Sequence, residues 1–510
     1  MPFFYFIYIV STLCFLAFSQ VVKGEEPEDL FSTFSLPEQP AFLKKEDLVD
    51  PARNEKEKVS PLSISTPQSP PSFFKKLSNA FQQKTTWWGY LRNETAFRIV
   101  KPRRFDKVLN IFSLEGRYTI NHRFQLSGRL RAFYDAVYDL ENLEAIHPPK
   151  KSVTPQENRM IEVVQKRITL QELYLDTRFR SFDIRIGKQI VRWGVVEGAR
   201  VTDEINPQDF FELILRDIDD RYIPLFMVRT DIYQGANTFQ LIFIPEVRGH
   251  RPAPRGTEWE QFRLLPGLVK PEHAWKDFPD KFDNTEVAFR WSRAFSGFEI
   301  SGSYFYTWDD FPSSFRSIAG FGGAGLIGDE SFDPKYSRLS ILGGTLSKSF
   351  PDFIFNAEAS YVEGKNFGGR SLDGGEIRQQ NIRRDYFKYA MGADITFMKT
   401  DFSPALIQQY ILNYDDRIIQ DRLDTVLALF AKKEWVNHLW SGSLFVLYFM
   451  NDDEWLIRPR TDYKLTDQLR ISLGFDLFEG DPGSALPGEF NFIGFFNEND
   501  RVFMELNYGF

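Results

Sequence analysis

The sequence predicts an all-β protein, a transmembrane antiparallel β-barrel of about 18 strands, or about 16 if two weak segments are loops. The first observation is composition: 52 Phe, 20 Tyr and 10 Trp make up 16% of the chain, an excess typical of a protein that faces lipid. The second is a period-two alternation of apolar and polar residues, and the third is an alternation of short and long connections. After the first 22 residues, no apolar run approaches the roughly 18–20 residues of a spanning helix, which argues against a polytopic helical membrane protein.

Charge and cysteine content exclude further classes. The net charge of −8 is spread along the chain and leaves no basic stripe, so we expect no nucleic-acid partner. The single cysteine, Cys14, lies in the N-terminal apolar stretch, which excludes structural disulfides and thiolate metal sites from the mature protein. We expect no cofactor.

The N-terminal part of the chain is expected to precede the barrel. Residues 1–24 predict a cleaved signal peptide, with an uncleaved anchor as the alternative. Residues 25–86, rich in Pro, Glu, Lys and Ser, predict a disordered periplasmic linker. Within this linker, residues 72–83 predict a short helix, either transient or placed at a pore mouth. The barrel domain is predicted over residues 87–510.

Apolar and polar residues alternate over stretches long enough to cross a membrane. Phe124–Tyr134, Phe298–Trp308 and Leu469–Leu477 place aliphatic or aromatic residues at most second positions, with polar residues between them. A strand of about 9–11 residues with this pattern turns one face to lipid and the other to the lumen.

Two classes of connection alternate along the chain, as they do in a barrel with short periplasmic turns and long external loops. Short connections are predicted at residues 121–122, 180–181, 234–237, 293–297, 349–352, 398–401, 434–438 and 466–468. Longer ones are predicted at residues 140–165, 194–222, 248–282, 311–335, 364–383, 415–421 and 480–499, with two brief members of that class at 100–107 and 451–454.

The end of the chain predicts an assembly signal. Leu506, Tyr508 and the terminal Phe510 lie on one face of a final alternating strand. Such a strand is the kind of signal that the barrel assembly machinery reads, so we expect an exported outer-membrane protein surrounded by lipid and lipopolysaccharide.

The stretch Leu170–Phe210 resembles an uncharacterised family of Gram-negative outer-membrane barrels, domain of unknown function 1302. The matching residues of its hairpin and Asn-Pro-x-Asp segment are Gly187, Lys188, Gln189, Trp193, Gly194, Asn206, Pro207 and Asp209. Gly343–Glu363 and Trp455–Phe510 carry two further matches. The resemblance implies a companion permease and a periplasmic partner, and with them export or lipid traffic.

Strand alternation assigns charged residues to the lumen, because about 2–4 kcal/mol is needed to place Arg or Lys at the bilayer midplane. The expected pore-lining residues of the wall are Arg129, Arg131, Glu172, Asp176, Arg290, Glu358, Asp394, Arg458 and Arg460. These rows either create a transverse field across an aqueous pore or neutralise one another as structural ladders.

The connection Gly194–Tyr222 carries both charges and an apolar cluster, so we expect it to fold inward as a constriction; a solvated external loop is the alternative. Its expected site residues are Arg200, Asp203, Asn206 and Asp209. Gly187 predicts a bulge that turns Lys188 and Arg192 inward, where Lys188 pairs with a carboxylate. The alternative is that Lys188 extends into the headgroups. Gln189 and Trp193 are included among the pore-lining residues.

Together these features predict an outer-membrane channel or transport protein for small or amphiphilic solutes. An enzyme is not expected, because none of the five histidines lies in mid-strand beside a lumenal serine or shows metal-binding spacing. A structural or adhesive barrel is the alternative.

Overall fold

The computed structural model describes most of the barrel region, namely residues 84–141, 165–253, 257–259, 282–311, 315–318, 321–324, 336–373, 376–435, 438–483 and 491–510. The predicted signal peptide, the short helix at 72–83 and nearly all of the linker lie outside these residues. Within them, no helix is long and apolar enough to cross a membrane.

Twenty-two strands and four short helical segments occur in the described parts of the chain. The strands are Thr85–Arg98 (β1), Phe105–Thr119 (β2), Phe124–Asp135 (β3), Lys166–Arg178 (β4), Phe182–Gln189 (β5), Asp209–Phe210 (β6), Leu225–Gln234 (β7), Asn237–Ile244 (β8), Arg251–Pro252 (β9), Glu286–Phe295 (β10), Phe298–Trp308 (β11), Phe315–Ile318 (β12), Phe321–Ala324 (β13), Arg338–Ser349 (β14), Phe353–Asp373 (β15), Glu376–Phe397 (β16), Thr400–Ile411 (β17), Leu423–Trp435 (β18), Trp440–Phe449 (β19), Glu454–Lys464 (β20), Leu469–Glu479 (β21) and Arg501–Gly509 (β22). The helices are Val137–Leu140 (α1) and Ile218–Arg221 (α2), with 3₁₀ turns at Phe282–Asn284 and Gly494–Phe496.

Eighteen of these strands form one closed antiparallel sheet. Each barrel strand pairs with its neighbours in chain order, and β1 closes the barrel by pairing with both β2 and β22. The prediction of an 18-stranded transmembrane barrel is confirmed. β6 pairs with β9 and β12 pairs with β13 in two small sheets within the connections.

The outer face follows the predicted alternation. On β3, Leu126, Leu130 and Tyr134 are 38%, 38% and 39% exposed, whereas Ser127 and Arg131 between them are 6% and 9% exposed. An isolated strand gains nothing from such a pattern, but in a barrel it gives one apolar surface for lipid and one polar wall.

One predicted connection is wrong. Residues 364–383 do not form a long loop, because β15 and β16 continue through them as a hairpin of 21- and 22-residue strands. About 9–11 residues suffice to span a membrane, so this hairpin extends well beyond it. The register of β15 with β16 shifts between Val362 and Lys365, next to Gly364, whose φ is +92°. This shift interrupts the alternation of apolar and polar residues along β15, so the sequence pattern does not show that the strand continues.

Much of the inner wall is apolar rather than polar. One row of cross-strand partners from β8 to β16 is buried inside the barrel: Ile242, Ala288, Phe305, Ile341, Val362 and Tyr386. A second row, on β16 to β19, contains Ala390, Ile407, Val426 and Phe449. An apolar wall of this extent must be covered from within, and loops supply the cover.

Candidate functional site: a constriction in the lumen

The connection between β5 and β7, residues 190–224, folds into the barrel; we call it the constriction loop. Its residues Val201, Leu213 and Ile214 are 1%, 1% and 4% exposed and share one apolar cluster with Ile407 and Val426 of the wall. The structure therefore places this connection inside the barrel and not in an external solvated loop.

Glu358 of β15 anchors the first part of the constriction loop. Its Oε1 accepts hydrogen bonds from the backbone N–H groups of Val195 and Val196, at 2.5 and 2.6 Å. Its Oε2 accepts from the backbone N–H and the hydroxyl of Thr202, at 3.1 and 2.8 Å. One wall carboxylate thus satisfies three loop amides that burial would otherwise leave without partners.

Asp220 of α2 anchors the far part of the loop to the opposite wall. Its two oxygens pair with different guanidinium groups, Arg92 of β1 and Arg131 of β3. Arg92 also reaches Asp217 at 3.1 Å, and Arg131 donates to the Tyr90 hydroxyl at 2.9 Å. Burial alone would raise the pKa of Asp220, but the two arginines outweigh it and hold this pKa well below its usual range.

Glu212 makes a second ionic attachment nearby. Lys107 of β2 lies 2.6 Å from its Oε2, and Arg216 of the loop donates to its Oε1 at 2.8 Å. Arg501 of β22 lies 3.9 Å away. Although burial alone would raise the pKa of Glu212, these three cations lower it, so the carboxylate stays charged.

A charged pocket of about 420 Å³, including space open to solvent, lies between the loop and the wall. The loop contributes Leu215, Arg216 and Asp217. Strands β1, β2 and β20 to β22 contribute the rest: Glu94, Thr95, Ala96, Lys107, Arg458, Arg460, Asp476, Arg501, Phe503 and Glu505. We call it the seam pocket, because it lies where the loop meets the ionic side of the wall.

A buried cluster ties the loop to two other connections. Arg200 lies 3.1 Å from Glu204 and 3.9 Å from Asp310, and Nδ1 of His250 accepts from the backbone N–H of Gln208 at 2.7 Å. Burial, aided by the positive charge of Arg200, lowers the pKa of His250 well below its ordinary value. The cluster is a structural support with a neutral imidazole at its centre.

The predicted wall charges mostly form ladders with adjacent strands. Arg129 pairs with Glu115 at 2.9 Å and with Glu172 at 3.6 Å, and Asp176 pairs with Arg185 at 2.6 Å. All five groups are partly buried and face inward.

Two further wall residues, Arg458 and Arg460, both form ion pairs and line the seam pocket. Arg458 pairs with Asp476 at 2.6 Å and donates to the Leu215 carbonyl at 2.8 Å, so it joins wall and loop. Arg460 lines the seam pocket and pairs with Glu505 at 3.2 Å.

Asp394 and Arg290 lie away from the seam pocket. Asp394 accepts from Asn356 at 2.8 Å and from Ser403 at 2.7 Å, entirely within the wall. Arg290 of β10 lies over the Trp193 ring at 6.0 Å from its centroid.

The predicted inward position of Lys188 is wrong. Its cross-strand partners are Leu173 and Phe226, which are 42% and 43% exposed on the lipid side. Lys188 therefore points outward from the end of β5, and none of the described ion pairs includes it.

The bulge lies one strand earlier than predicted. β5 keeps its register with β4 and β7 through Gly187, although Gly187 has a φ of +134° and a Cβ there would lie 2.2 Å from the Leu173 carbonyl oxygen. The register instead shifts between β3 and β4, where Gln171 is the extra residue. Alternation along β5 alone contains no sign of a bulge in its neighbour.

Gln189 and Asn206 support the loop and do not line open lumen, since both are 0% exposed. The Asn206 side chain accepts from the Val191 N–H at 2.8 Å and donates to the Ile223 carbonyl at 2.9 Å. It thereby joins the two ends of the constriction loop.

The other predicted loop residues also bond within the loop. Asp203 accepts from the Trp193 N–H at 3.1 Å and from the Tyr222 hydroxyl, and the Arg192 guanidinium lies 4.6 Å from the Tyr222 ring centroid. Asp209 accepts from the backbone N–H of Phe211 at 3.0 Å. These contacts give the loop a fixed shape.

Sequence reasoning selected Arg131 and Arg458 but missed three other cations that hold the loop. Arg92, Lys107 and Arg501 were not among the predicted residues, although all three occupy inward positions. Their alternation within β1, β2 and β22 is a usable signal, but it assigns only a face and cannot name a partner on a loop.

The C-terminal residues Leu506, Tyr508 and Phe510 lie where the chain end pairs with β1. Phe510 exchanges two backbone hydrogen bonds of 3.0 Å with Gly89 and stacks on Phe112 at 6.3 Å. Tyr508 and Phe510 are both 39% exposed on the outer face, and Leu506 pairs with Ile471. Their role as an assembly signal stays a prediction.

Within the described part of the chain, no group of three or more His, Cys, Asp or Glu side chains is placed to hold a metal ion.

The solved structures to which this chain is similar include outer-membrane proteins. The outer membrane protein OpdK of Pseudomonas aeruginosa has 9% identity and a TM-score of 0.45, over 84% of this chain and 99% of that chain. OccAB3 of Acinetobacter baumannii has the same four values. The outer membrane protein OmpT of Vibrio cholerae has 10% identity and a TM-score of 0.36, again over 84% and 99%. No curated protein matches the sequence significantly.

The closed barrel with its apolar outer face is an outer-membrane protein, and that face suits outer-membrane lipid and lipopolysaccharide. A family model described as "Protein of unknown function (DUF1302)" matches residues 101–375, more than half of the chain. This barrel with an inward-folded constriction loop therefore belongs to the DUF1302 family.

Proposed function

We propose that this protein is an outer-membrane channel for small or amphiphilic solutes. The observation that supports this best is the uneven attachment of the constriction loop. On one side the loop packs into a continuous apolar cluster with the wall, and on the other it meets the wall through ion pairs and the seam pocket.

We assign the solute route to the side of the constriction loop that meets the wall through ion pairs. An apolar contact excludes water and solutes alike, whereas charged groups beside a solvent-filled pocket can exchange one partner for another. The seam pocket is partly open to solvent, which gives solutes access to its lining. Its lining combines charged groups such as Arg458 and Glu505 with the apolar side chains of Leu215 and Phe503, which suits a solute with polar and apolar parts.

Single-channel conductance in planar bilayers tests the channel. Deleting residues 200–220 removes the constriction, so conductance should rise above that of the wild type. As a matched control, deleting residues 371–378 shortens the projecting hairpin of β15 and β16 and should leave conductance unchanged. Folded barrels that conduct neither before nor after removal of the loop would contradict the proposal and favour the structural or adhesive barrel.

A milder pair of variants tests the route. Arg460 lines the seam pocket, whereas Lys188 lies on the outer face. Arg460→Gln should shift the reversal potential in a salt gradient toward cations, and Lys188→Gln should not. Equal reversal potentials in both variants and the wild type would place the route elsewhere.

An enzymatic function is not part of this proposal. The imidazole of His250 packs between Phe210 and Phe311, at centroid distances of 5.1 and 4.4 Å, and a group so enclosed is poorly placed to meet a substrate. A permease and a periplasmic partner, and delivery of the chain by the barrel assembly machinery, remain predictions from the sequence.

A further inference from the structure

Asp220 occupies a clamp formed by two guanidinium groups. One carboxylate oxygen pairs with Arg92 and the other with Arg131, on strands β1 and β3 with β2 between them. Two arginines that converge on the two oxygens of one carboxylate form a geometry that recognises carboxylates in general.

The wall holds this clamp in place independently of Asp220. Arg92 Nε lies 2.8 Å from Glu94 on the same strand, and Arg131 donates to the Tyr90 hydroxyl at 2.9 Å. Both arginine side chains are nearly buried, with 7% and 11% of their surface exposed. A second carboxylate would therefore meet arginines that are already oriented and partly desolvated.

The segment that carries Asp220 is, by contrast, short and partly exposed, although Asp217 also lies 3.1 Å from Arg92. α2 has four residues, and the side chains of Asp217 and Asp219 beside Asp220 are 60% and 66% exposed. The next residue, Arg221, is buried, yet its Nε and Nη1 have no hydrogen-bond partner among the described residues. A buried donor group without a partner favours the entry of an acceptor.

We propose that Asp220 is a tethered substitute for a solute carboxylate, and that the channel admits carboxylate-bearing solutes which displace Asp220 from Arg92 and Arg131. The exchange keeps the charge beside the two arginines constant, so neither guanidinium is left buried and unpaired. The released α2 segment then withdraws from the wall beside the seam pocket, which Asp217 helps to line. This inference rests on the proposed channel function and names the solute class.

Binding to the purified full-length protein in detergent tests the clamp without a membrane. The probes are benzoate and benzamide, which have similar shape and differ in charge. Asp220→Asn removes the tethered carboxylate, so benzoate should bind at least about tenfold more tightly than to the wild type, as expected when a charge-assisted competitor is lost. Arg131→Gln should weaken benzoate binding by a similar factor.

The matched control is Asp219→Asn. Asp219 neighbours Asp220 in the chain but pairs with Arg192, so this variant should bind benzoate as the wild type does. Equal benzoate affinity in the wild type and Asp220→Asn, or equal binding of benzamide and benzoate, would overturn the inference.

A measurement on the wild type keeps the test decisive if a variant does not fold. Benzoate, and not benzamide, should accelerate amide hydrogen exchange at residues 217–221, because α2 leaves the wall. No acceleration would contradict displacement. In bilayers, conductance that is indifferent to benzoate refutes the clamp alone, whereas absence of conductance with intact benzoate binding refutes the channel alone.

Discussion

Glu358→Gln is expected to loosen the constriction loop at its first anchor. The Glu358 carboxylate accepts four hydrogen bonds from Val195, Val196 and Thr202. Glutamine keeps one acceptor oxygen and turns an NH₂ group toward amide donors, so two of the four bonds are lost. At about 1.5–3 kcal/mol for each hydrogen bond to a charged group, local opening becomes easier by at least about 3 kcal/mol.

Amide hydrogen exchange measures this change directly. A decrease of about 3 kcal/mol in the opening free energy corresponds to exchange about 100-fold faster at the amides of Val195, Val196 and Thr202. Asp394→Asn is the matched control, because the Asp394 carboxylate bonds only to Asn356 and Ser403 among its described hydrogen-bond partners. If the three loop amides exchange equally slowly in Glu358→Gln and the wild type, the carboxylate does not hold the loop.

Three further predictions concern Gly187, Phe510 and His250. Gly187→Ala should lower the yield of folded barrel on heat-modifiability gels, because φ is +134° and the new Cβ meets a carbonyl oxygen, whereas Gly302→Ala, with open space around it, should fold normally. Deleting Phe510 should leave the protein in the periplasm for degradation; normal outer-membrane levels in fractionated cells would contradict its role in assembly. Burial and Arg200 keep the pKa of His250 below 6.5, so its contribution to stability is complete above about pH 6.5 and falls on acidification, by at most about 1.4 kcal/mol per pH unit. His250→Gln should flatten that slope in thermal unfolding followed from pH 7 to pH 5, and an unchanged slope would refute the assignment.

The barrel was predictable because lipid imposes a local rule. Every second residue of a spanning strand must suit hydrocarbon, so a stretch such as Phe124–Tyr134 shows its two faces without knowledge of its neighbours. Most connections follow similarly from local residues, although residues 364–383 proved to be strand rather than loop. Alternation also assigned Arg129, Arg131 and Glu358 to the inner face, where they lie in the structure.

Only the tertiary structure determines which partners the inward-facing side chains contact. The partners of Asp220 lie 128 and 89 residues away in the chain, and Glu358 bonds to a segment more than 150 residues earlier. Lys188 points outward because β5 keeps its register with β4 and β7 through Gly187, and the bulge lies instead at Gln171 between β3 and β4. Alternation fixes the face of a side chain, since that depends on one strand; it cannot fix register or loop placement, since those depend on which strands and loops the closed barrel brings together.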